Sequence, residues 1–93
     1  MAFYLKANKT KMISLIRLKG YKPTLRRAHY EKAFRARTYW LSWMENDCLY
    51  KASLMTAGGR TYLRVVNQTT NADKMIHIPF DELKQYEMLE EIA

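Results

Sequence analysis

A chain of 93 residues, 48% of them hydrophobic, holds apolar material for one modest core and too little for two, so a single domain is expected. Three glycines and two prolines against 13% aromatic residues exclude a disordered chain. The lone cysteine, Cys48, excludes an intrachain disulfide and a cysteine-based zinc cluster, and points to a reducing compartment with the cytoplasm as default.

Net charge is +7 and unevenly spread. Up to Arg37 there are eleven lysines and arginines and one acid, Glu31, a formal +10; after it there are five bases and eight acids, a formal −3. The two halves are electrically unlike, and self-repulsion in the first calls for compensation.

Ala2 to Ala7 and Lys11 to Leu18 are rich in β-branched and aromatic residues around a polar Asn8-Lys9-Thr10 insert, which predicts a hairpin. A short helix over Met12 to Lys19 is the rival, because Met12, Leu15, Ile16 and Lys19 share a helical face. The apolar run ending at Leu18 is short, contains Arg17 and is followed by Lys19-Gly20, so neither a signal peptide nor a membrane span is expected. Gly20 and Pro23 then break the chain, with Thr24 as a helix N-cap.

Thr24 to Arg37 is dense in Ala, Arg, Glu and Lys and predicts a basic helix over about 24–37. Leu25, Ala28, His29, Ala33 and Ala36 would face the core, leaving Arg26, Arg27, Lys32 and Arg37 outward. The apolar stripe of Leu25, Ala28, Ala33 and Ala36 is too thin to insert strongly into a bilayer, so no membrane partner is expected.

From Thr38 the texture changes to strands. Tyr39, Leu41 and Trp43 alternate with Trp40, Ser42 and Met44, and Glu45-Asn46-Asp47 supplies a turn, although helix continuation through Met44 competes. Both tryptophans are assigned to the sheet, with Trp40 placed toward its interior. Ala57-Gly58-Gly59 is a tight turn before an alternating Thr61 to Gln68, and Lys74 to Phe80 reads as a last strand with Pro79 at its end. An acidic helix over about 81–91 follows, in which Asp81 and Glu82 suit the N-terminal dipole and Glu90 and Glu91 oppose the C-terminal one. The expected fold class is thus α+β, with an antiparallel meander over about 38–80 between a basic and an acidic helix.

No catalytic, metal or cofactor motif is present. His77 shares a strand face with Met75 and Pro79 and should be exposed; Cys48 should pack as a small hydrophobe. Ala57-Gly58-Gly59-Arg60 lacks the Lys-Ser/Thr of a phosphate loop. An enzyme is therefore not expected.

The basic half is the feature that implies a function. Clustered cations bind nucleic-acid backbones with release of counterions, and interleaved rings stack on exposed bases. The expected contacts are Lys22, Arg26, Arg27, Lys32, Arg35 and Arg37 on phosphates, with Tyr30 as a stacking ring and Phe34 as a core contact. DNA or RNA is the expected partner. The alternative is an interaction or inhibitor protein, of the kind phages or mobile elements encode, docking its basic face on an acidic protein. The basic half could also meet the chain's own acidic C-terminal region, or that region of a second copy in a homodimer.

Overall fold

The computed structural model describes residues 2–32 and 38–92. The elements are β1 (Ala2–Leu5), α1 (Lys9–Leu18), β2 (His29–Lys32), β3 (Tyr39–Glu45), β4 (Cys48–Ala57), β5 (Arg60–Asn67), β6 (Ala72–Ile78), α2 (Phe80–Gln85) and β7 (Leu89–Ile92). Strands β2 to β6 make one antiparallel sheet in chain order, and β1 pairs antiparallel with β7. The α+β class and the meander after Thr38 are as expected.

The meander follows from local chemistry. Glu45 pairs with Cys48 across Asn46 and Asp47, whose φ angles are 51° and 59°, and Ala57 pairs with Arg60 across Gly58 and Gly59, at 58° and 75°. Two positive-φ residues in a two-residue loop match the right-handed strand twist, and Asn, Asp and Gly are the residues that tolerate them. The longer turn after β5 is held by Asn67, whose side-chain oxygen accepts from the backbone N–H groups of Thr69 and Thr70.

Alternation along these strands defines two faces. Leu41, Trp43, Ala52, Leu54, Leu63, Val65 and Ile78 point to one side and form the core with Met12, Ile13, Leu15 and Ile16 of α1, together with Leu83 and Met88. Both helices thus cover the same face. The opposite face carries Trp40, Lys51, Tyr62, Arg64, Met75 and His77, all half-buried or exposed.

Three expected elements are corrected. The N-terminal hairpin is absent, because Lys11 to Leu18 lies within α1. Asn8, which suits turns and N-caps alike, caps this helix: its Oδ1 accepts from Lys11 N–H at 2.8 Å. At the other end Gly20, at φ 97°, donates to the Arg17 carbonyl and Tyr21 donates to that of Ile16, the paired closure that favours glycine. Asn8→Ala is expected to cost about 1 kcal/mol. A lowered urea midpoint with an unchanged slope would show it, and an unmoved midpoint would refute the cap.

The basic helix expected over 24–37 does not form across the described residues 24–32. Thr24 does collect helical bonds, its carbonyl accepting from Arg27 and Ala28 N–H, but the turn stops there and His29–Lys32 becomes a strand on β3. The thin stripe explains this: Leu25 is 55% exposed, whereas strand pairing sets Tyr30 opposite Leu41 and stacks its ring on Tyr39. His29, expected in the core, is exposed. The positions of Ala33, Phe34, Arg35, Ala36 and Arg37 lie outside the described residues.

Finally, the acidic helix over 81–91 ends at Gln85. Glu87, at φ 55°, turns the chain, and Met88 N–H bonds to the Leu83 carbonyl, so that Leu89–Ile92 runs back along β1. Leaving the helix removes Glu90 and Glu91 from its negative end and gives β1 its partner.

Candidate functional site

The chain between α1 and β2 is pinned by what it buries. Tyr21 packs edge-on against Trp43 and Tyr50, with ring centroids 5.9 Å and 5.6 Å away. Pro23 and Ala28 are buried as well. Glu45 closes the arrangement, its Oε1 accepting from Lys22 N–H at 2.6 Å and from the Trp43 indole N–H at 3.0 Å. With those anchors inward, the side chains of Lys22, Arg26 and Arg27 are left in solvent.

Sequence reasoning missed Arg17, which joins this region from α1: its Nε donates to the Pro23 carbonyl at 3.0 Å. Lys32, at the far end of β2, is exposed too. Of the expected contacts, Lys22, Arg26 and Arg27 therefore share one connection, and Lys32 stands along the edge strand from them. Arg35 and Arg37 fall between β2 and β3 in sequence, outside the described residues.

Other cations of the basic half are already engaged by the acidic C-terminal region. Lys6 pairs with Glu90 at 2.9 Å and Lys19 with Glu82 at 2.8 Å, while Lys11 Nζ donates to the Glu87 carbonyl at 2.6 Å. The Lys19–Glu82 pair is largely shielded, its side chains 20% and 15% exposed. This intramolecular contact offsets part of the repulsion that a +10 half would suffer. Among the described residues, Lys22, Arg26, Arg27 and Lys32 make no ion pair.

Tyr30 is less available than expected. Its ring is half-buried and lies 5.0 Å from Tyr39 at an interplanar angle of 15°, so one face is used; burial pushes its phenol pKa up, with Tyr39 adding to the shift.

Trp40 differs from its expected interior placement. Positions 40 and 43 differ in parity, so a strand cannot turn both toward one side. Trp43 is buried at 2% exposure; Trp40 lies half-buried on the opposite face. There it lines a concavity of about 570 Å³ with Glu31, Lys32, Lys51, Arg64, Val66 and Gln68. Sheet register explains the company: Ser42 pairs with Lys51, Lys51 with Val66, and Glu31 with Trp40. Arg64 is held by Asp73 through Nε at 3.1 Å and Nη2 at 2.6 Å, and these bonds draw the Asp73 carboxyl below its usual pKa. Parity plus hairpin register could have found this face from the sequence.

The remaining candidates stay apart from these groups. His77 is exposed, as expected, beside Tyr62, and Cys48 is half-buried at the start of β4. Among the described residues no three His, Cys, Asp or Glu side chains gather to hold a metal, and no helix is long and apolar enough to cross a membrane. In comparison with known proteins, no family model, no curated protein and no solved structure matches this chain.

Proposed function

We propose that this is a small non-enzymatic, cytoplasmic nucleic-acid-binding protein that sets Lys22, Arg26, Arg27 and Lys32 on the phosphates of DNA or RNA. One observation carries the reading: these four exposed side chains have no carboxylate partner among the described residues, while Lys6 and Lys19 of the same basic half do. Charge left over after internal pairing is charge available to a polyanion. The backbone carrying it is pinned through Glu45, Pro23 and Ala28, so little ordering of the main chain is needed on binding.

Fluorescence anisotropy with labelled DNA and RNA tests this. Log affinity should fall linearly with log salt, with a slope of about −0.9 per neutralised phosphate on duplex DNA and about −0.7 on single strands. Charge reversal of Lys22, Arg26 and Arg27 to glutamate should abolish most binding and flatten the slope by roughly two to three phosphates' worth. Unchanged affinity in that variant would sink the assignment.

A further inference from the structure

We propose that the face of the five-stranded sheet opposite α1 and α2 is a binding site for single-stranded nucleic acid, with Trp40 as the platform on which an unpaired base stacks. This rests on the preceding reading and specifies the class of ligand. Trp40 lines an open concavity of about 570 Å³ on this face.

Ring pairing distinguishes Trp40 from the other aromatic residues nearby. Tyr30 stacks on Tyr39, Trp43 stacks on Tyr50, Tyr21 meets both members of that second pair, and Tyr62 lies against His77. Among the described residues Trp40 has no ring partner. Its indole N–H also lacks an acceptor there, whereas that of Trp43 donates to Glu45. A large π face and a donor without a partner among the described residues are thus held together on a strand paired on both sides.

The charged groups around the ring suit a nucleotide. Lys51 projects from the same face, and Lys32 lines the concavity from the edge strand, so two cations share the concavity with the indole. Arg64 contributes less charge, because Asp73 grips it through two nitrogens. Glu31 repels phosphate at its own side, and its carboxylate can accept from the N–H groups of a base; Gln68 can donate and accept. Phosphates are therefore directed to Lys51 and Lys32. A single strand can present base and phosphate to this face together; a duplex keeps its base faces stacked inside, out of reach of Trp40.

Tryptophan emission reads the contact directly, since Trp43 is buried and Trp40 is not. The probes are a 15-nucleotide oligothymidylate, a 15-nucleotide oligouridylate, a 15-base-pair duplex and polyglutamate, titrated into the full chain at low salt. Either single strand should quench emission and bind more tightly than the duplex. Trp40→Leu should weaken single-strand binding by roughly 5- to 150-fold, the effect of losing one stacked base, and abolish quenching. Trp40→Phe should keep most of the affinity while losing the quench, which separates stacking from misfolding.

Single-strand binding that neither quenches Trp40 nor changes in Trp40→Leu overturns this site and leaves the phosphate contacts of Lys22, Arg26 and Arg27 standing. A duplex bound as tightly as the single strands overturns it likewise. Polyglutamate binding with no affinity for any oligonucleotide overturns both readings in favour of an acidic protein partner, and no binding to any probe overturns both outright.

Discussion

Replacing Leu15 by alanine is expected to destabilise the fold by about 3 kcal/mol, within the roughly 2–5 kcal/mol seen when a buried leucine is truncated. Leu15 is fully buried on the inner face of α1, among Met12, Ile16 and the inward residues of the sheet. Truncation removes the transfer free energy of the lost carbons and leaves a hole that the rigid sheet closes only in part. In a chain of 93 residues the total stability is of the order of 5–15 kcal/mol, so the loss is a large fraction of it. At about 4–8 °C per kcal/mol, Tm should fall by some 12–24 °C in a thermal scan. A fall of less than about 5 °C would mean that α1 does not pack on the sheet as described.

Trp43→Ala is expected to cost more still, about 3–5 kcal/mol. The indole lies 5.4 Å from the Tyr50 ring at 12° and meets Tyr21 edge-on, geometries worth about 0.5–1.5 kcal/mol per pair beyond burial. Its N–H also shares Glu45 Oε1 with the Lys22 backbone, so its loss loosens the support of the basic connection. Trp43→Phe keeps a ring and loses about 1 kcal/mol with the hydrogen bond. Trp40→Ala is the control. Its side chain is half-buried on the face opposite α1 and α2, and chemical denaturation should show a much smaller loss than at Trp43. Equal losses at the two positions would refute the assignment of opposite faces.

The opposite placement of these two tryptophans shows how far sequence pattern reaches. Period-two alternation placed Trp43 with Leu41 on one strand face, and the same arithmetic assigns Trp40 to the other; reading Trp40 as interior gave aromatic content more weight than parity. The basic segment shows a different limit. Helix propensity summed over Thr24 to Arg37 favoured a helix, and the Thr24 turn begins one, yet Tyr30 gains more by lying opposite Leu41 and stacking on Tyr39. The expected cations Lys22, Arg26, Arg27 and Lys32 were legible as charge; which of their neighbours were already neutralised was not. That required knowing that Glu82 meets Lys19 and Glu90 meets Lys6.

Local chemistry in the chain was enough to specify the β4 to β6 meander, because a two-residue turn such as Gly58-Gly59 imposes strand pairing and register on its immediate neighbours; the Asn46-Asp47 turn favoured β3, against which a helix through Met44 still competed. It was also enough to reveal the charge asymmetry, which is a count. Tertiary structure decided that β1 pairs with β7 at the opposite end of the chain, that Leu89–Ile92 leaves the helix to do so, and that both helices cover one sheet face and leave Trp40, Lys51 and Arg64 on the other. Those outcomes depend on contacts between segments far apart in sequence, where the area buried by closure outweighs the small propensity differences that a local reading can weigh.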